Sequence, residues 1–73
     1  MVKRFYGRAI EEGMINLYDS LSEKDRRRYA GIEALKLPHG GRAYICKLLN
    51  CDNKTIQQGI FDLEHEEELK KNR

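Results

Sequence analysis

Residues 43–60 read Ala43-Tyr44-Ile45-Cys46-Lys47-Leu48-Leu49-Asn50-Cys51-Asp52-Asn53-Lys54-Thr55-Ile56-Gln57-Gln58-Gly59-Ile60. Two helices joined by a short turn account for this order of residues. Cys46 is small and sits where a second helix would press on the first; a free Cys packs as a small hydrophobe. Asn50 takes the turn position usually held by Gly, because Asn tolerates positive φ better than other side chains. Cys51 then turns into the core. Asp52 is placed to cap the second helix, and its charge suits the helix dipole. Ile56 and Ile60 point inward. The whole is the spacing of a helix-turn-helix, whose second helix lies in a DNA major groove.

With Ile56 and Ile60 inward, the outer face of that second helix carries Asn53, Lys54, Gln57, Gln58 and Phe61. Asn and Gln amides pair bidentately with adenine, so Asn53, Gln57 and Gln58 are the base-reading candidates. Lys54 and Thr55, near the helix start, are the phosphate candidates together with its backbone amides. Arg42 and Lys47 on the preceding helix flank the groove, and Arg26, Arg27 and Arg28 offer a more distant phosphate grip. The same spacing also fits a helical hairpin that merely carries polar residues outside. An arginine triplet is usually a solvated face.

Working outward, an all-α bundle of about four helices is expected. The first runs over about 3–18, with Phe5, Ala9, Ile10, Leu17 and Leu21 inward and Tyr6, Met14 and Tyr18 flanking. Gly13 weakens its middle. The second starts at Ser22, a cap with Asp25 three residues on, and buries Tyr29, Ala30, Ile32, Ala34 and Leu35. It ends before Pro38. Leu37-Pro38-His39-Gly40-Gly41 is a tight connector whose paired glycines allow positive φ. The third helix covers about 42–49. The fourth begins at Asp52 and turns Ile56, Ile60 and Leu63 inward. Leu69 extends that face if the helix runs on. As a single domain, the chain divides into an N-terminal helix (1–21), a helix-turn-helix core (22–64) and a charged tail (65–73).

Seventy-three residues bury only about 60% of their unfolded surface, which leaves little room for an enclosed active site. Net charge is +2, unevenly spread: residues 1–48 hold ten basic and six acidic side chains, residues 62–73 three basic and five acidic. An anionic partner should meet the first two thirds, and Glu64, Glu66, Glu67 and Glu68 should face solvent or another protein. Two cysteines without a secretory segment indicate a reducing cytoplasm. No apolar run spans a bilayer, and no lipidation signal is present.

Other chemistries fit poorly. His39, Cys46, Cys51 and His65 lack zinc-finger spacing, so no metal or other cofactor is expected. A Cys–His nucleophile lacks a third orienting group. Glu11 and Glu12, adjacent on one helix, point to different azimuths. Gly40-Gly41 is too short for a phosphate loop. Neither an enzyme nor a small-molecule site is indicated.

A wider pattern joins these pieces. The run Arg28-Tyr29-Ala30-Gly31-Ile32-Glu33-Ala34-Leu35-Lys36-Leu37, then His39-Gly40-Gly41, Tyr44-Ile45, Leu48-Leu49, Lys54-Thr55-Ile56, Gly59-Ile60 and Leu63-Glu64, resembles the amino-terminal region of the Rhodopirellula-type insertion-sequence DDE transposases. The resemblance covers about residues 21–64. It implies a helical module that recognises the ends of a mobile element. It does not imply catalysis, because that family's metal-binding carboxylates lie in a much larger domain. The chain is then a fragment of such a protein or a standalone descendant. Pro38 and Asn50 stand where the pattern has Gly, while Asp52, Asn53, Gln57 and Gln58 depart from it in a way that makes the reading helix less cationic. The expected partner is double-stranded DNA, with a homodimer possible. The alternatives are a standalone transcriptional regulator, or a helical interaction or dimerisation module with no DNA role.

Overall fold

The structure is a computed structural model that describes residues 4–71, with side chains through His65. Four helices follow one another: α1 (Arg8–Ser20), α2 (Glu23–Lys36), α3 (Gly41–Leu49) and α4 (Asn53–Lys71). The described residues contain no strand. The fold is all-α, with α3, a short turn and α4 forming the helix-turn-helix. The expectations for Glu66, Glu67, Glu68 and Leu69 fall outside the described side chains.

Local chemistry sets the ends of α2 as the sequence indicates. Ser22 accepts a hydrogen bond from the Asp25 backbone N–H at 3.3 Å and starts α2. Leu37 terminates it just before Pro38. Gly40 then adopts φ 95°, so the connector uses one positive φ, at the first of its two glycines. Gly41 opens α3, buried against Leu37.

The core comprises Met14, Ala30, Ala34, Tyr44, Ile45, Leu49 and Ile56. Ile45 and Ile56 are its largest fully buried side chains, each stabilising the fold by about 1.5–3 kcal/mol. Two inner faces differ from the sequence expectation. In α2, Ile32 and Leu35 are exposed, while Ala30, Gly31, Glu33 and Ala34 are buried. The cause is the closeness of α4. A Cβ added at Gly31 would lie 2.9 Å from the Gly59 carbonyl carbon, and one added at Gly59 would collide with the Arg27 carbonyl oxygen. Backbone meets backbone there, so no side chain fits at Gly31.

The second correction concerns α1. The helix begins at Arg8, not near Lys3, with Gly7 as its cap residue. Phe5 and Tyr6 precede it in non-helical chain and lay their rings against Tyr44, with centroids 5.3 and 6.1 Å away. Freed from that register, α1 turns Glu11, Met14, Ile15 and Tyr18 toward the bundle, while Ile10 (57%) and Leu17 (47%) stay exposed and Ala9 faces out. Arg4 and Tyr44 hold the inner end of this helix through Glu11. Arg4 Nη2 lies 2.8 Å from one carboxylate oxygen, and the Tyr44 hydroxyl donates to the other at 2.6 Å.

Candidate nucleic-acid interface

The α3–α4 turn is built by its backbone. Asn50 sits in the left-handed region at φ 55°, ψ 49°, and its N–H points to the Cys46 carbonyl. The Cys51 N–H donates to the same carbonyl at 2.9 Å. This is the six-residue closure of a Schellman motif, which satisfies the last carbonyls of a helix and favours an apolar contact between the two residues it joins. Cys46 and Cys51 make that contact, both partly buried against the core. Burial raises both thiols above their ordinary range, Cys51 to about 11.

Asp52 then caps α4. Its carboxylate accepts the Thr55 N–H at 2.9 Å and the Thr55 hydroxyl at 3.1 Å. Those two bonds hold its pKa below the ordinary carboxylate value. Thr55, a phosphate candidate, is thereby half-buried and committed to the cap.

Beyond the cap, Ile56 is fully buried, Gly59 lies on α2, and Ile60 and Leu63 are half-buried. Asn53, Lys54, Gln57, Gln58 and Phe61 are exposed, as the helical spacing requires. Asn53 and Gln57, one turn apart, make no side-chain hydrogen bond among the described residues, so their amides are open to a partner. Gln58 differs: its amide N–H₂ donates to Asp62 Oδ1 at 2.9 Å. One turn further along the Asn53–Gln57 row, Phe61 stacks on His65 with ring centroids 3.8 Å apart. That pair was legible in principle, since residues four apart on a helix are neighbours.

The cationic candidates separate into two groups. Arg42, Lys47 and Lys54 are exposed. Arg42 and Lys47 occupy opposite ends of α3, and five residues at about 100° each set them roughly 140° apart in azimuth. The arginine triplet is engaged inside the fold. Arg26 donates to the Tyr18 and Asp19 carbonyls at 3.0 and 2.8 Å, and lies over the Tyr18 ring. It thus supplies the cation that the last turn of α1 lacks. Arg27 pairs with Asp62 across the α2–α4 crossing at 3.8 Å. Arg28 pairs with Asp25 at 3.2 Å. A triplet read from sequence as one basic patch therefore points to three different partners.

The residues that sequence reasoning missed are Arg4, Glu11 and Tyr44. Their contact joins positions 33 apart in the chain, beyond any local pattern. Burial and the Glu11 bond push the Tyr44 hydroxyl up to about 12, while the same bond and Arg4 lower Glu11. One open groove of about 460 Å³ lies where α2 meets α3, lined by Leu35, Leu37, Pro38, His39, Arg42 and Ala43 among others, with no α4 residue. Among the described residues, no helix is long and apolar enough to cross a membrane, and no three His, Cys, Asp or Glu side chains gather as a metal site. No protein-family model, no curated protein and no solved structure matches the chain.

Proposed function

We propose that the chain is a double-stranded-DNA-binding helix-turn-helix domain, of the kind that lets transposase-like proteins recognise the ends of a mobile element. The observation that carries this reading is the unpartnered amide row Asn53–Gln57 on the exposed N-terminal half of α4. Two amides one turn apart match the reach of successive base edges in a major groove. Lys54 stands beside them, exposed, for phosphate. The C-terminal half of α4 is less suited, because Asp62 and Glu64 add negative charge there. Base reading therefore belongs to Asn53 and Gln57, with Gln58 joining once it leaves Asp62. Phosphate contact belongs to Lys54 with Arg42 or Lys47, and Arg26, Arg27 and Arg28 serve the fold first.

The test is a salt-dependent titration against duplexes, a mobile element's terminal repeat and a scrambled sequence of equal length. Lys54→Ala is expected to lower the slope of log affinity against log salt by about one on both duplexes. Gln57→Ala is expected to cost about 1–3 kcal/mol on the preferred duplex only. If both substitutions leave affinity and slope unchanged, α4 is not the reader.

One observation favours a second reading, a self-associating module without a DNA role. Ile10 and Leu17 lie two turns apart on one outward face of α1, and Phe61 is exposed on α4. Tyr6, a further candidate for such a surface, is half-buried against Tyr44 instead. Equilibrium sedimentation separates the readings. A dimer broken by Ile10→Glu and Leu17→Glu, together with no DNA affinity, supports association.

A further inference from the structure

The two cysteines of this chain face each other across the α3–α4 turn. The Cys51 N–H bond to the Cys46 carbonyl folds the chain back on itself, so both side chains leave the backbone from adjacent points. Both pack on the same side of the turn, against the core. Each thiol perturbs the other's ionisation.

A disulfide needs nearby Cα atoms and converging Cβ vectors. The Schellman closure supplies the first, and its side-chain contact supplies the second. We propose that Cys46 and Cys51 are a redox modification site: a dithiol that a small disulfide such as glutathione disulfide converts to an intramolecular bond across the turn.

The reaction proceeds by two exchanges. The Cys46 thiolate attacks one sulfur of glutathione disulfide, forming a mixed disulfide and releasing one glutathione thiolate. The Cys51 thiolate then attacks the Cys46 sulfur, closing the protein disulfide and releasing the second glutathione. Both protein protons end on the two glutathione thiols, so the protein is oxidised by two electrons and glutathione disulfide is reduced by two. Cys46 is the first attacker because Arg42 offsets part of what burial and Asp52 add there, whereas Cys51, which Asp52 also raises, is pushed up to about 11. Since both thiols are raised, the exchange is slow at neutral pH and accelerates as pH rises. The site does not depend on DNA binding, and its test needs no nucleic acid.

The experiment incubates the full chain with glutathione disulfide at pH 8, quenches with acid and measures intact mass and cross-linked peptides. The expected product is a monomer lighter by two hydrogen atoms. Its Cys46 and Cys51 peptides are linked, and its melting temperature exceeds that of the reduced chain, because the cross-link restricts the unfolded state. Dithiothreitol restores the original mass. In Cys51→Ser the reaction stops at a single glutathione adduct on Cys46. Persistent adducts on both cysteines of the wild type, disulfide-linked dimers only, or free thiols after prolonged incubation would each overturn the proposal. If Cys51→Ser does not fold, the wild-type mass and peptide linkage decide alone.

Discussion

The α2–α4 crossing and the attachment of α1 are two ways of holding a helix in one small bundle. At the crossing, Gly31 and Gly59 remove side chains altogether, and the backbone of α4 rests on the Arg27 carbonyl. At α1, side chains make the join: Tyr44 and Arg4 grip Glu11, Phe5 and Tyr6 lean on Tyr44, and Arg26 closes the far end. The first joint tolerates no added atom but needs no particular side-chain chemistry. The second spreads its hold over several polar and aromatic groups, and two of those groups titrate.

The sharpest way to break this contrast is Gly59→Ala. The new methyl collides with the Arg27 carbonyl, so the helices must separate and the core behind them must loosen. A loss of at least about 3 kcal/mol is expected, a large fraction of what so small a domain possesses. Urea denaturation followed by circular dichroism measures it; a wild-type midpoint in the variant would mean the crossing is not rigid.

Tyr44→Phe should have a smaller effect with a distinctive pH signature. Glu11 is lowered in the folded state from an ordinary value of 4.5. Its contribution is therefore complete above that value and is lost as pH falls through the folded pKa. Tyr44 is raised from 10 to about 12, so its contribution is complete below 10 and fades as pH rises through that window. The variant should be less stable at neutral pH and show shallower declines at both edges. Identical pH profiles for the two proteins would show that the Glu11 join contributes nothing.

The smallest expected effect is a gain. Gly13 lies in the middle of α1, exposed, with nothing within 4 Å of an added Cβ. Gly13→Ala should stabilise by about 0.5–1 kcal/mol through helix propensity and a less mobile unfolded chain. Thermal melts of this variant beside Gly59→Ala contrast one substitution at an open helix position and at a closed crossing.

How much of this was legible in the sequence follows from range. The caps at Ser22 and Asp52 and the left-handed Asn50 depend on neighbours a few residues away, and each appears where residue chemistry placed it. The inward Ile56 followed from helical period. The buried face of α2 did not, because apolarity favoured Ile32 and Leu35, while the structure buries Ala30, Gly31 and Ala34, with Gly31 pressed on the α4 backbone. Phe5 looked like the first inward residue of α1, yet it belongs to the non-helical lead that packs on Tyr44. For the candidate interface, exposure of Asn53, Lys54 and Gln57 was legible from period alone. The diversion of Arg26 and Arg27 was not, since their carbonyl and carboxylate partners sit on α1 and α4, whereas the Arg28 partner, Asp25, lies one turn away on α2.

The backbone contact at Gly59 has a consequence for reuse of the fold. Because α4 is seated by main chain, cap and one fully buried isoleucine, its outward positions 53, 54, 57 and 61 hold none of the bundle together. They form a rewritable surface on a fixed chassis. New side chains there can change what the helix touches while leaving its placement intact, which makes this chain a compact starting scaffold for libraries of helix-displayed binders.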